Sequence, residues 1–407
     1  MPTNEQLTEL KNEIKASIRR NSDRGFVPYS GCNRVCHDMM SILEIAEVHP
    51  DPRHAFDISI MVLLEAVKLL SHADDSSGAA GDVIYSSTDM IDKRCLMADE
   101  ADQKHFMDTL LKTAKNKVFR DWPDFGYKLL KSAVHLVRDE KQAQKVYEVI
   151  PLLGQLYDGK DYPDKHLITV GIIERLEGDT AANQYLMEHI DVPELRVIAV
   201  EKALEAKQYP LAEELCNQAL KKDNSRLYKT PVWAYYLERL YRETSNLDKL
   251  TETINYILFH GDPSYYTKLK ELYQKQEIWE QMKEPLLKNL SVSLMIDSYA
   301  SLLAIEGEFP KLLDVVIKNP YMIVDYGKQL AQSFSEETYV IYVDYIEDQA
   351  KEATERRKYK EVCKIIKNFH AAGAKSEANQ LIDRLCERYP RRPAMQEELA
   401  GLRRKLK

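Results

Sequence analysis

Apolar residues recur at three- and four-residue steps along most of the chain, the spacing of one face of a helix. Over 193–208, Leu195, Ile198, Ala199 and Ala203 keep that step; over 211–220, Leu211, Ala212, Leu215, Cys216, Ala219 and Leu220 keep it again, with a turn at 207–210 between. The pair then returns: Val232, Tyr235, Tyr236 and Leu240 precede a turn at Asn246 and a second helix through Leu250, Ile254, Ile257 and Leu258. Further pairs turn at 276–277, Gly307–Glu308, Ser335–Glu336 and Gly373, and upstream 162–177 pairs with 179–190 about Gly178. Before residue 160 the pattern is less periodic and predicts helices over 4–20, 33–48, 53–72, 101–116, 124–137 and 140–157, with a break at 71–83.

The turn centres lie about 27–39 residues apart, near the roughly 34 of tetratricopeptide repeats and below the roughly 40–47 of HEAT repeats. Pro193, Pro231 and Pro263 fall at expected helix starts, where a missing N–H removes no intrahelical bond. Tyr209–Leu220, with Ala212 and Ala219, is the best match to a tetratricopeptide second helix; the other units lack its small-residue pattern. The sequence therefore predicts an all-α fold, a right-handed α-solenoid of antiparallel helical hairpins, tetratricopeptide/HEAT-like but degenerate. Residues 1–160 read as a divergent N-terminal helical region, and 161–407 as the hairpin array with a C-terminal capping helix.

Composition narrows the class. With 14 Gly and 16 Pro in 407 residues, a fold built from many tight β-turns is disfavoured. A net charge of −8 repels phosphate backbones unless a local patch overrides the mean. The six cysteines are too few and too scattered for a disulfide framework and suit a reducing compartment. The N-terminus has no apolar core of a signal peptide, and the most apolar stretch, 58–67, is far too short to span a bilayer. The expectation is a soluble cytoplasmic protein with no membrane partner.

Candidate chemistry is sparse. Asp74, Asp75 and Ser76 open the most turn-rich stretch, but a calcium loop from Asp74 would place Gly78 and Tyr85 where ligands belong. An aspartate-rich diphosphate motif fails too, for want of a third Asp at 78 and of a partner motif. A helix-capping turn is the stronger reading, since Asp and Ser cap helix N–H groups. Cys32, Cys36 and His37 form at most half a zinc site, with no second close pair. The histidines are dispersed, and neither a hydrolase nor a phosphate-loop motif is present, so no catalytic residue, metal or cofactor is assigned.

Tyrosine usage says more: 24 Tyr against 9 Phe, crowded with Tyr228 in the middle of the array. Trp233, Tyr235, Tyr236, Tyr265 and Tyr266 are the partner-binding candidates, because polar-tipped aromatics suit a binding face. Packing between repeats would use the same residues. The end of the chain is locally basic, with Arg391, Arg392, Arg403, Arg404 and Lys407. Such a tail could meet nucleic acid or an acidic partner, or serve as the capping helix a solenoid requires.

Three segments, His72–Gly78, Arg120–Leu130 and Arg388–Leu399, resemble the helical C-terminal region of bacterial SWIM zinc-finger family proteins. The resemblance runs loosely from about residue 55 to the end and implies only the helical region, itself of unknown activity. The Cys-x-Cys and Cys-x-His zinc motif of that family is absent here. The expected function is a non-enzymatic helical-repeat scaffold that binds a protein or peptide on a concave face. A nucleic-acid-associated accessory role, through the basic tail or a DNA-processing partner, is the alternative.

Overall fold

A computed structural model describes residues 4–156, 158–222 and 230–406. The expectations placed on Tyr228, Lys407 and the last residue of helix 140–157 lie outside the described residues. Among those described there are 22 α-helices and no β-strand, with isolated bridges at Asp23 with Phe26 and Val27 with Ala73. The chain divides into two compact units, Met1–Leu215 and Cys216–Lys407, so the division expected at 160/161 falls inside the first.

The first unit holds α1 (Asn4–Asn21), α2 (Tyr29–Glu47), α3 (Pro52–Leu70), α4 (Ala79–Leu96), α5 (Glu100–Ala114), α6 (Pro123–Val134), α7 (Glu140–Tyr147), α8 (Pro163–Glu177), α9 (Asp179–Glu188) and α10 (Pro193–Glu205). Helix α11 (Tyr209–Lys222) runs across the division. The packing is that of a two-layer stack. Helices α2, α4, α6, α8 and α10 each pack on the next, while α1, α3 and α5 form the facing layer. One core runs without interruption from Leu10 through Ile172. The N-terminal region is thus built on the same alternation as the hairpins that follow it.

Helix α3 is the centre of that core, buried on nearly every side through Phe56, Ile58, Val62, Leu63 and Val67. Two of its buried polar residues are provided for: Ser59 Oγ donates to the Ala55 carbonyl at 2.9 Å, and Glu65 meets Lys68 Nζ at 2.8 Å. The sequence pattern gave no helix between the break and residue 101, yet α4 lies there. Its buried stripe, Ala80, Val83, Ile84, Ser87, Thr88, Ile91 and Cys95, has full helical spacing, but the middle of the stripe is hydroxylic. Ser87 Oγ donates to the Val83 carbonyl at 2.8 Å and Thr88 Oγ1 to Tyr85 at 3.0 Å, which lets both enter the core. The helix expected over 140–157 stops at Tyr147, and a 3-10 turn over Ile150–Leu153 carries Pro151.

The second unit continues with α12 (Val232–Glu243), α13 (Leu247–Phe259), α14 (Tyr265–Lys275), α15 (Trp279–Ser293), α16 (Ile296–Glu306), α17 (Phe309–Lys318), α18 (Ile323–Leu330), α19 (Ser335–Glu352), α20 (Arg356–Ala371), α21 (Lys375–Arg388) and α22 (Pro393–Leu406). Each helix from α12 to α22 packs on its sequence neighbour, and α18, α20 and α22 also stack side by side. Of the three prolines placed at helix starts, Pro193 is the first residue of α10, Pro231 is the N-cap of α12, and Pro263 stands two residues ahead of α14.

The hairpin turns repeat one hydrogen-bond pattern. Gln208, Asn246, Ile278 and Glu308 each donate the main-chain N–H five residues back, to Ala203, Tyr241, Tyr273 and Leu303, at 2.8–2.9 Å. The carbonyl of each then accepts the N–H four residues on, at 2.9–3.1 Å, so a single residue closes one helix and opens the next. This geometry requires a positive φ at the residue before. Gly307 supplies it without strain, whereas Lys207, Ser245 and Glu277 adopt φ of 55°, 55° and 58°.

A candidate binding cleft across four helices

The layer α4, α6, α8, α10 carries a cleft of about 750 Å³ on one face of the first unit. Each helix offers it one stripe. Tyr85, Thr88, Asp89 and Asp92 come from α4; Lys128, Lys131 and Ser132 come from α6, with His135 just past its end. Leu167, Ile168, Gly171 and Glu174 come from α8, and Ile198 and Lys202 from α10. Positions three, four and seven apart share a helix face, so the stripes follow from register alone. The floor is aliphatic. Gly171 deepens it, because a β-carbon there would meet Val134 Cγ1 at 3.0 Å.

Polar contacts stitch each helix of the layer to the next along the rim. Lys128 Nζ stands 3.7 Å from the centre of the Tyr85 ring, a cation–π contact between α6 and α4. Lys131 meets Asp164 at 2.5 Å across α6 and α8, and Lys202 meets Glu174 at 2.5 Å across α8 and α10. Burial and the neighbouring Lys131 draw the Lys128 ammonium below the ordinary lysine range. Asp92 Oδ1 accepts from Ser132 Oγ at 2.7 Å and lies 3.2 Å from His135 Nε2. The carboxylate therefore stands between the hydroxyl and the imidazole. An activated serine needs the imidazole on its hydroxyl, so this order fixes the rim rather than preparing a nucleophile.

The sequence-based candidates sit elsewhere. Trp233, Tyr265 and Tyr266 are buried in the packing of the second unit, and Tyr235 and Tyr236 are half-buried. Tyr235 packs at 5.8 Å from Tyr265 and donates to Asp262 at 2.9 Å; Tyr266 packs edge-on to Trp279 at 6.1 Å. These aromatics join neighbouring helices and do not form one exposed face.

Asp74 holds Ser76 through its main-chain N–H at 3.1 Å and its hydroxyl, while Asp75 accepts from the Ala80 and Gly81 amides at 2.8 and 3.3 Å. The loop is thus the N-terminal cap of α4, and Val27 anchors it through bonds to His72 and Asp74 at 2.9 Å. Buried Cys32 and Cys36 lie 3.9 Å apart and His37 is exposed, so the three do not converge. Burial pushes both thiols up. No cluster of three or more His, Cys, Asp or Glu able to hold a metal occurs among the described residues.

The basic end is largely committed to packing. Arg392 donates to the Ala350 and Ala353 carbonyls at 2.8 and 2.9 Å at the end of α19, Arg388 meets Glu347 at 2.8 Å, and Arg403 pairs with Asp383. Arg391 and Arg404 are exposed. No described helix is long and apolar enough to cross a membrane.

The sequence pattern does not point to the cleft, because one of its four helices, α4, is missing from that pattern. The signal was present as Tyr85, Thr88, Asp89 and Asp92 at helical spacing, opposite Lys128, Lys131 and His135 at the same spacing.

No protein-family model matches the sequence, and no curated protein matches it. Among solved structures, the chain is similar to the tetratricopeptide domain of P58(IPK), at 14% identity over 98% of this chain and 97% of that one, with a TM-score of 0.21. It is similar also to a circular tandem repeat protein with novel repeat topology and enhanced subunit contact surfaces, at 15% identity over 98% and 96%, with a TM-score of 0.22. Scores this low carry no argument about function, and the repeat architecture rests on the helix packing and turns described above.

Proposed function

We propose that the protein is a non-enzymatic helical-repeat scaffold whose cleft across α4, α6, α8 and α10 holds a segment of another polypeptide. The observation that carries this reading is the cleft's make-up: an aliphatic floor opened by Gly171, under a rim whose charges are mostly paired with one another. Such a surface rewards apolar side chains entering from a main chain laid across the helices, and it offers no free charge cluster to select an ion. The resemblance to the helical region of SWIM zinc-finger proteins enters as a proposal of kinship and assigns no ligand to the cleft. The nucleic-acid alternative draws less support, since Arg392 and Arg403 are engaged within the fold.

Affinity purification of the full chain from its host, beside a Tyr85→Ala/Lys128→Glu variant, tests the reading. Tyr85 is exposed and Lys128 forms no buried ion pair, and a melting curve of the variant beside the wild type checks that the fold is kept. A stoichiometric polypeptide recovered with the wild type and lost with the variant is the expected result. Equal recovery with both, or recovery of nucleic acid alone, overturns it.

A further inference from the structure

We propose that the polypeptide segment held in the α4–α10 cleft carries an acidic side chain, and that Lys128 is the residue that pairs with it. This rests on the cleft reading above and adds the chemistry of the occupant. The other two lysines on the cleft already have their anions, Lys131 meeting Asp164 and Lys202 meeting Glu174, both at 2.5 Å. The carboxylates of the α4 wall are engaged as well: Asp92 by Ser132 and His135 at 2.7 and 3.2 Å, and Asp89 by Lys93 at 2.7 Å. Lys128 is the exception. Among the described residues no carboxylate lies within ion-pair reach of it, and its ammonium rests on the face of the Tyr85 ring, 3.7 Å from the centre.

A ring face attracts the cation but leaves its N–H donors free for an oxygen acceptor. Burial, then Lys131, draw this ammonium below the ordinary lysine range, and Asp124, one turn back on α6, offsets only part of that. A half-buried cation beside a like charge is short of counter-charge, and a carboxylate from outside would supply it. Tyr85 is 58% exposed, so the pair stands open at the mouth of the cleft. The apolar floor begins on the next helix, with Leu167 and Gly171 of α8. Packed helices lie about 8–10 Å apart, which about three extended residues span. The occupant is therefore an extended segment with an acidic residue about three positions from a large apolar one. A basic residue at the same place would meet Lys128 and Lys131 as like charges.

The test is fluorescence anisotropy of the full chain with labelled acetyl-Leu-Ala-Ala-Glu-Ala-Ala-Leu-amide, whose spacing serves either chain direction, and with its Gln and Lys counterparts at the central position. The Glu peptide is expected to bind at least about tenfold more tightly than the Gln peptide, and the Lys peptide more weakly than either, the preference for Glu shrinking as salt rises from about 50 to about 300 mM. Lys128→Gln should bring the Glu peptide down to the affinity of the Gln peptide and leave the Gln peptide unchanged, which also shows the cleft intact. Lys128→Glu should reverse the order and favour the Lys peptide. No binding of the Glu peptide, equal affinity for the Glu and Gln peptides, a preference that survives Lys128→Gln, or a loss in that variant shared by both peptides would each overturn the proposal. The cleft reading falls on a different result, equal recovery of a polypeptide with the wild type and with Tyr85→Ala/Lys128→Glu.

Discussion

The Asn246 N–H donates to the Tyr241 carbonyl at 2.9 Å, and between them Ser245 is held at a φ of 55°. An L-residue in the left-handed region is disfavoured by roughly 1–2 kcal/mol, which the two flanking helices impose through this bond. Ser245→Gly is therefore expected to stabilise the chain by about 0.5–1 kcal/mol, the relief being partly offset by the glycine's greater unfolded freedom. Gly307→Ala, at the matching turn, should destabilise it by about 1 kcal/mol. Urea midpoints measure both, and a lowered midpoint for Ser245→Gly would contradict the strain at this turn.

Asp75 and Asp74 are adjacent in sequence and unequal in role. Asp75→Ala removes the acceptor of two amides at the start of α4 and should lower stability by about 1–2 kcal/mol. Asp74→Ala loses only its local turn with Ser76 and should fall within about 0.5 kcal/mol of wild type. Millimolar calcium should move neither midpoint. A calcium-dependent rise in the wild type that Asp75→Ala abolishes would make the loop a cation site instead.

At the other end, Arg392→Ala strips donors from the closing carbonyls of α19, an expected loss of about 1–3 kcal/mol. Arg391→Ala, exposed beside it, should change stability by less than about 0.5 kcal/mol. Thermal melts compare the two, and equal shifts would mean that Arg392 does not cap the helix.

Stability should also depend on pH in the window where histidine titrates. His54 is buried with its Nε2 unpartnered and its ring 4.6 Å from His49, and burial, then His49, draw its pKa below the ordinary 6.5. His166 is drawn down by burial and by His189, 4.8 Å away. A histidine with a depressed folded pKa takes up fewer protons folded than unfolded, so stability holds above about pH 6.5 and falls as pH drops below it. The carboxylates held low, Asp74, Asp158, Asp161 and Glu308, act only beneath their ordinary values of 3.8 for Asp and 4.5 for Glu, outside that window. Melting temperatures should therefore fall between pH 7.5 and 5.5, and His54→Phe should flatten part of the slope. An unchanged slope in His54→Phe would remove His54 as a contributor.

The hairpins of the second half were legible because leucines, alanines and tyrosines mark a continuous apolar stripe and turn residues separate the stripes. Gly178, Gly307 and Gly373 fall where the pattern put them, and Asn246 does both jobs expected of a turn and a cap. What escaped was α4, whose stripe passes through Ser87 and Thr88; hydroxyls that bond their own helix are core residues in space and polar residues in a sequence. With α4 went the cleft. The aromatic candidates failed in the opposite sense: a tyrosine on a buried face and one on a binding face have the same spacing, and only the neighbouring helix decides which it is.

Gly171 gives the cleft an unusual vulnerability. In the middle of α8, helix propensity favours alanine over glycine by about 1 kcal/mol, so any programme that improves the chain residue by residue would fill this position early. The added methyl would press on Val134 and raise the floor beneath whatever rests there. The crowding at Val134 works against the propensity gain, so a change chosen for stability alone would be judged on that balance and never on the shallower grip it leaves.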